Sequence, residues 1–599
     1  MCGINLLLNF PEAIAAQAIG AMTEATSYRG PDASSWTEIA TGSFLAANRL
    51  MIMGLEDAAN QPLFTPDKQQ VLVWNGALYN FGDLRNRLLQ RGITMKGGSD
   101  SEVLLHWLTA FGEYGLRDLQ GMFSLIFVDR VKENIVIARD LTGQKPLYFS
   151  QSNGGWLFSS EIRGILASGL VPKRLNRSQF APYFYLRYPV PTETFFEQVR
   201  QFPAGKVMVL GFDGEERDSF SLFLSDHGNG ILPSSERFEE LLTDAVMTHF
   251  RAEVPVGIIL SGGADSTLLY QLWYQETGIP LRSYTAVFEK RYEREFEDHA
   301  FAHRVAKGFR GDHQEVMVSP EVFLAHWEAY CKGLDQPVGD SAGFLTWMIA
   351  KDAKEHVKVL VSGAGADELM GGYNRHRAFL SYLDHPRIAN LLKGLHRLPQ
   401  LPAPYRKFFA AISQDPASTY RDLAALQPLP PELSASLKIS LKDESFGLKA
   451  ALDYDRKGYL VEDVLKVLDN SCMAFGIEGR SPYLDYPILA LFGQLSESEQ
   501  RALIGKKWIK DLLISKGQSA VANRRKLGFG LPILGWYRHH RAFKNSVLDT
   551  LSRFEANFGA DLPPEMRKLI RNPDSEMKRS YLQVWNLYLL ASWIYCHRL

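Results

Sequence analysis

Over the first two hundred residues, apolar positions come in short runs. Residues 71–74 (Val-Leu-Val-Trp), 124–128 (Ser-Leu-Ile-Phe-Val) and 135–139 each end at Asn-Gly, Asp or Gly, the usual punctuation of strands. Two segments break this rhythm, 83–89 and 101–111, where apolar residues recur at three- and four-residue steps and predict helices. Strands interrupted by helices predict an α+β layered domain over residues 1–210. Residues 211–235 are rich in Gly, Ser, Asp and Pro, with Asp226-His227-Gly228-Asn229-Gly230 at the centre, and read as a linker.

The pattern then changes. A helix-period segment, 238–250, precedes the apolar run 255–260, a Gly-rich turn and a second helix pattern. Another apolar strand, 357–361, also runs into a Gly-rich turn. Strands alternating with helices predict an α/β domain over residues 236–599, a doubly wound parallel sheet covered on both faces. Beyond Asp384 the pattern is mostly helical. Leu582, Trp585, Leu589 and Trp593 predict a docked terminal helix.

Composition narrows the function classes. At 599 residues the chain is too long for one core, and 46% hydrophobic with 22% charged residues is ordinary globular composition. A net charge of -1 gives no broad basic field, so nucleic acid is not an expected partner. The local clusters Arg524-Arg525-Lys526 and Arg538-His539-His540-Arg541 read as solvated faces. Four cysteines without CxxC or HExxH spacing exclude a disulfide framework and a zinc site of ordinary type, and suit a cytoplasmic protein. The first residues lack a basic segment and do not resemble a secretory leader, and no apolar run is long enough to predict membrane insertion.

Cys2 follows Met1 directly. If Met1 is removed, Cys2 carries an α-amine beside its own thiol, and an amine of pKa about 8 can accept the thiol proton near neutral pH. Asn75-Gly76 closes an apolar strand. A side-chain amide beside a Gly N–H suits an oxyanion hole, and the dipeptide equally suits a hairpin turn. Asp100, after Gly97-Gly98-Ser99, can bind an ammonium or cap a helix. Farther on, Leu260-Ser261-Gly262-Gly263-Ala264-Asp265-Ser266 stands between a strand and a helix, where the Gly pair admits phosphate close to the backbone. No Lys follows, so it is not the kinase-type phosphate loop. The second strand ends at Ser362-Gly363-Ala364-Gly365-Ala366-Asp367-Glu368, and in a parallel sheet two such ends can face one ligand.

These motifs carry a resemblance. Met1-Cys2-Gly3-Ile4, Arg29-Gly30-Pro31-Asp32, Arg49-Leu50, Asn75-Gly76 with Tyr79-Asn80, Ser99-Asp100 with Glu102, Gly121-Met122-Phe123 and Ala138-Arg139-Asp140 resemble the glutaminase domain of the asparagine synthetase family. Gly143 to Tyr148 and Ser159-Ser160-Glu161 continue it. The resemblance implies an αββα N-terminal-nucleophile fold in which Cys2 attacks the glutamine side-chain amide. Arg49 would bind the glutamine α-carboxylate, Asp100 its ammonium, and Asn75 with the Gly76 N–H would form the oxyanion hole.

Leu260 to Ser266 resembles the loop of ATP pyrophosphatases. Asp335 to Asp340, Lys466 to Asp469, Glu478-Gly479-Arg480, Ser481 to Asp485 and Arg524 to Phe529 match the same family. The implied cofactors are ATP, held by Leu260, Ser261, Gly262, Gly263, Asp265, Ser266, Ser362, Gly363 and Lys526, and Mg²⁺ on Asp265 and Asp367. Lys526 would contact phosphate during adenylation and amide formation. Three positions depart from the family pattern: Ala77 and Ala364 stand where carboxylates are usual, and Gln336 where Glu is common.

The implied chemistry is a coupled pair of reactions joined by an internal ammonia tunnel. Glutamine is hydrolysed at Cys2, and a carboxylate is adenylated with release of pyrophosphate and then amidated. The expected partners are glutamine, ATP and an acceptor carboxylate, with a homodimer as a family expectation. The sequence admits aspartate as acceptor, another carboxylate such as a sugar acid, peptide or secondary metabolite, and a catalytically weak regulatory homologue.

Overall fold

The computed structural model describes residues 2–152, 154–223, 233–293, 298–398, 400–437, 446–524 and 528–599. Two antiparallel sheets face each other in the N-terminal part. The first contains β1 (Cys2–Leu8), β2 (Ala33–Ala40) and β3 (Ser43–Arg49). The second opens with β4 (Leu63–Phe64), β5 (Gln70–Leu78), β6 (Gly121–Asp129) and β7 (Asn134–Arg139). The chain then returns to the first sheet with β8 (Tyr148–Ser152), β9 (Gly155–Ser159) and β10 (Arg200–Gln201), and to the second with β11 (Lys206–Gly211) and β12 (Glu216–Ser221). Spatial orders are β10-β8-β9-β1-β3-β2 and β12-β11-β7-β6-β5-β4.

Alternation along β1 shows how the layers form. Cys2, Ile4, Leu6 and Leu8 point between the sheets, against Val71, Val73, Ile126 and Ile137. Leu7 points the other way, onto Ala15, Ile19 and Met22 of helix α1 (Glu12–Ala25). The outer face of the second sheet is covered by α2 (Phe81–Gln90) and α3 (Asp100–Phe111), through Leu84, Leu88, Leu104 and Leu108. The result is helix, sheet, sheet, helix, as the α+β pattern predicts.

Part of the stretch read as linker is a strand instead. Glu216–Ser221 pairs antiparallel with β11, so a polar edge strand closes the second sheet. Its six residues carry three charges and little apolar character, which hid it: an edge strand needs backbone pairing more than burial. The centre of the expected linker, 224–232, lies outside the described residues.

Two short helices, α4 (Ile162–Ala167) and α5 (Phe180–Leu186), lead towards the second half, which opens with α6 (Ser235–His249). Its sheet is wholly parallel: β13 (Val256–Ile259), β14 (Arg282–Val287), β15 (His313–Met317), β16 (Val359–Val361) and β17 (Glu478–Arg480), in the order β15-β14-β13-β16-β17. β13 is followed by α7 (Ala264–Thr277). Ile258, Leu260 and Val361 face one layer of helices, while Ile259 and Leu360 face the other. The order reverses between β13 and β16, and in such sheets ligands bind at the carboxyl ends of the strands flanking that reversal. The last helix, Pro573–Cys596, buries Trp585, Leu589 and Trp593 in a core shared with both halves. No described helix is long and apolar enough to cross a membrane.

Candidate functional site

The register of β1 against β3 sets Cys2 directly opposite Arg49. The Cys2 backbone N–H donates to Asn75 Oδ1 at 3.0 Å. Burial pushes the Cys2 thiol pKa up, against the Leu50 N–H and the Arg49 charge. Gln61, a residue the sequence reading did not single out, donates from Nε2 to Cys2 Sγ at 3.4 Å and accepts from the Trp74 N–H at 2.6 Å. No motif marks Gln61, because its approach depends on the fold of the loop before β4.

β5 provides the donors. Trp74 N and Leu78 N both point away from β6, towards Gln61 and Asp100. With a period of two, Gly76 N points the same way. A Cβ at Gly76 would lie 2.1 Å from the Met122 carbonyl oxygen, so only Gly allows this strand to sit so close to β6. The Asn75 side chain is fully buried, and with Oδ1 taken by Cys2 its Nδ2 has no partner among the described residues. Asn75 is thus joined to Cys2 through the Cys2 N–H while its own amide N–H is left without an internal acceptor among the described residues. Asp100 begins α3, behind the N-cap Ser99. Its Oδ2 accepts the Leu78 N–H at 3.3 Å, and burial pushes its carboxyl up to about 6 against that bond.

Arg49 stands opposite Cys2, at the position where the resemblance expects the receptor of the glutamine α-carboxylate. Its two terminal nitrogens reach the carbonyls of Met53 (3.2 Å), Gly54 and Glu56 (3.2 Å) and Asn60 Oδ1 (2.7 Å). The guanidinium shapes the loop 53–60 that borders Cys2.

The second constellation lies at the β13 and β16 ends. Gly262 takes φ +66°, turning the chain so that α7 starts at Ala264. Ser266 Oγ accepts from Ser261 N at 3.2 Å, and Ser261 Oγ accepts from Gly263 N at 3.3 Å, leaving a small ring of hydroxyls at the helix start. Leu260 is fixed from the neighbouring strand by Thr285, whose hydroxyl donates to its carbonyl at 2.5 Å. Gly363 packs against this loop, where a Cβ would lie 2.9 Å from Asp265 Cβ. Ser362 N donates to the Arg480 carbonyl at 2.8 Å, tying β16 to β17.

Asp265 and Asp367 converge on one cation that sequence reasoning missed. Lys506 Nζ lies 2.7 Å from Asp265 Oδ2 and 3.0 Å from Asp367 Oδ1. Burial works against its charge, but the two carboxylates hold its pKa above the usual lysine value. Two carboxylates aimed at one point from two strand ends also form a donor set that fits Mg²⁺, which binds through one or two carboxylates plus substrate phosphates. Among the described residues no group of three or more His, Cys, Asp or Glu gathers as a self-sufficient metal cage. Lys526 lies outside the described residues, but Arg524, two positions earlier, donates to the Gly262 carbonyl at 2.8 Å. Ala364 is half-buried beside these groups. On the next turn Glu368 is raised to about 7 by burial and by Asp367, and accepts from Tyr373 OH at 2.6 Å.

The two constellations share buried charge. Arg29 is fully buried and bridges Glu161 of the N-terminal half and Asp469 of the C-terminal half, the latter at 2.9 Å. Lys145 Nζ donates to the Gly479 carbonyl at 3.3 Å. Despite its burial, Glu478 is held down to about 2 by Arg480, the nearby amino terminus and Lys145.

Comparison with known proteins agrees with this division. A glutamine amidotransferase domain model matches residues 1–221, and an asparagine synthase model matches residues 237–595. The glutamine-hydrolysing asparagine synthetase 1 of Bacillus subtilis is 26% identical over 570 residues, covering 90% of this chain and 88% of that one. A putative glutamine-hydrolysing asparagine synthetase of Mycobacterium tuberculosis is 29% identical over 585 residues, with the same two coverages. A Penicillium rubens protein named amidase chyE is 28% identical over 421 residues, covering 64% of this chain and 61% of that one. With a family model spanning well over half of its residues, the chain belongs to the asparagine synthase family, whose glutamine-hydrolysing members are ligases, and carries a glutamine amidotransferase domain in front.

Proposed function

We propose that the chain is a glutamine-dependent ligase that converts a carboxylic acid into its amide at the expense of ATP. The observation that carries this reading is the convergence of Asp265 and Asp367 on a single cationic point beside the Ser261–Ser266 loop. It occurs in a chain whose other half sets a cysteine against an unpartnered amide donor.

At the first site the Cys2 thiol attacks the side-chain amide carbon of glutamine. Once Met1 is removed, the Cys2 amine stands where its N–H now meets Asn75, and it takes the thiol proton. Asn75 Nδ2 and Gly76 N–H meet the oxygen as charge develops on it, ammonia leaves, and water releases glutamate. At the second site the Gly262-Gly263 turn, the hydroxyls of Ser261 and Ser266 and the first turn of α7 hold the phosphates. Leu260, Ser362 and Gly363 border the rest of the nucleotide. Mg²⁺ supplies charge neutralisation on pyrophosphate when bound, held by Asp265 and Asp367. Lys506 and Lys526 stabilise the leaving group. Adenylation is needed because a free carboxylate is a poor electrophile, and ammonia then displaces AMP.

Aspartate is the first acceptor to try, giving asparagine, AMP, pyrophosphate and glutamate. A second reading, amidation of a different carboxylate, is favoured by Ala364, whose methyl cannot accept a proton or bind an ammonium. The decisive experiment is pyrophosphate release from Mg-ATP and glutamine across a panel of carboxylic acids. Release with aspartate matched by asparagine formation supports the first reading. Silence with aspartate and turnover with another acid supports the second. Silence throughout refutes both.

A further inference from the structure

The stretch between Asp384 and Asp415 lies outside every motif that carried the resemblance, and its charge is one-sided. Residues 385–414 contain Arg387, Lys393, Arg397, Arg406 and Lys407 and not one Asp or Glu. The whole chain balances 66 Lys+Arg against 67 Asp+Glu, so this excess is a local feature and not a reflection of overall composition.

Packing divides the stretch into an inner and an outer side. The helix Pro386–Leu392 turns Ala389 inward, and the helix Ala403–Ala411 packs Phe408, Phe409 and Ala411 against Phe379, Tyr382 and Tyr420. Lys407 faces inward as well, where burial and the charges of Arg187 and Arg375 push its pKa down to about 7. The outer side is large and apolar. Leu391 and Leu392 follow Ile388 by three and four positions, which places all three on one stripe of the first helix. All three are exposed, Leu391 by 84%, and exposed Leu398 and Tyr405 continue the set beyond the turn Lys393–Arg397.

Arg387, Lys393 and Arg397 stand among these apolar residues. All are exposed, and none makes a side-chain hydrogen bond or ion pair among the described residues. Asp422 acts on Lys393 through space without pairing with it. Elsewhere on exposed helices lysines do find acids: Lys332 lies 2.6 Å from Glu328, and Lys507 lies 2.6 Å from Asp511. A protruding patch of Ile and Leu set among unpaired cations calls for an occupant that is apolar within and anionic at its rim. A second copy of the chain meeting the same face would set these cations against one another. A soluble polyanion would pair with the cations and leave Ile388 and Leu391 in water. A bilayer with anionic head groups satisfies both, because Lys and Arg stems lie along apolar surface while their charges stay at the phosphates.

We propose that residues 386–405 form a peripheral docking edge for an anionic membrane surface. Ile388, Leu391 and Leu392 enter the bilayer at head-group level, and Arg387, Lys393 and Arg397 rest on the lipid phosphates. The edge lies on the membrane and does not span it, in keeping with the lack of a long apolar helix among the described residues. The proposal needs neither chemical site described above, and it brings both to the bilayer without altering either.

The test is co-sedimentation of the full-length chain with vesicles of phosphatidylcholine alone and of phosphatidylcholine mixed equally with phosphatidylglycerol. The chain is expected to sediment with the mixture, less so as salt is raised, and not with phosphatidylcholine alone. Replacing Arg387, Lys393 and Arg397 together by Gln should weaken binding about 100-fold, at about fivefold per cation. The double change Ile388→Ser and Leu391→Ser, which leaves the charge untouched, should weaken it about tenfold or more. Both variants alter exposed side chains only, so their melting temperatures should match the parent. Absence of binding to the mixture, equal binding to both vesicles, or binding that survives either variant overturns the proposal. Capture of the parent by immobilised polyglutamate without vesicle binding assigns the face to an acidic protein instead. Dimerisation that the serine variant abolishes, again without vesicle binding, assigns it to self-association.

Discussion

Lys506 provides the most quantitative test of the nucleotide site. Its ammonium lies between Asp265 and Asp367, at 2.7 and 3.0 Å, and its side chain is only 7% exposed. The two carboxylate oxygens are therefore no more than about 6 Å apart. In Lys506→Met their shared ammonium is lost, and at an effective dielectric near 20 two carboxylates at that separation repel by about 3 kcal/mol. Losing the cation raises the pKa of one carboxylate of the pair in the folded variant above its unfolded value of about 4. The sign follows from proton linkage. Between those values the folded variant binds more protons than the unfolded chain, so its stability rises as pH falls through the window. The destabilisation should thus be greatest above pH 7 and shrink below pH 6. Millimolar Mg²⁺ should shrink it as well, by replacing the missing cation. Thermal unfolding of parent and variant from pH 5 to 8, in chelator and in Mg²⁺, reads all of this. A deficit independent of both pH and Mg²⁺ refutes the argument that the ammonium balances a carboxylate pair aimed at one point.

Other consequences are equally open to measurement. Asn75→Ala should lower glutaminase kcat about 10²- to 10³-fold while leaving the fold intact, since it removes one donor at the developing oxyanion; a loss under fivefold speaks against that role. Because Asp100 must be ionised to hold an ammonium and titrates at about 6 in the free protein, kcat/KM for glutamine should fall roughly tenfold per unit below pH 6. Asp100→Asn should remove that limb together with most of the affinity, and an unchanged profile in the variant points to another group. Arg29→Met should destabilise the junction by about 3 to 5 kcal/mol, leaving Glu161 and Asp469 buried without their shared partner, and should open the chain to limited proteolysis between its halves. Parent-like proteolysis would show that Lys145 alone suffices at Asp469.

Much of the site was legible in the chain because its chemistry depends on local backbone geometry. Asn75-Gly76 and Ser261-Gly262-Gly263 are contiguous, and each needs Gly for a close approach or a positive φ that the next residues exploit. Strands 71–74, 124–128 and 135–139 carry an apolar alternation that burial between two sheets demands, and all three fall within the strands observed. The polar strand 216–221 read as linker because an edge is stabilised by its neighbour's backbone, which leaves little trace in side-chain pattern.

What the residue order decided by itself was the repertoire: a cysteine with its own amine within reach, donors on β5, phosphate-binding turns at two strand ends, and the layers that hold them. What only the tertiary structure decided was which distant groups complete each site. Lys506 meets Asp265 and Asp367, Gln61 meets Cys2, and Arg29 joins Glu161 to Asp469 across the junction of the two halves. Such meetings depend on register, sheet order and domain docking. A charged side chain a few ångströms from its partner can be hundreds of residues away in the chain, and no local periodicity encodes that distance.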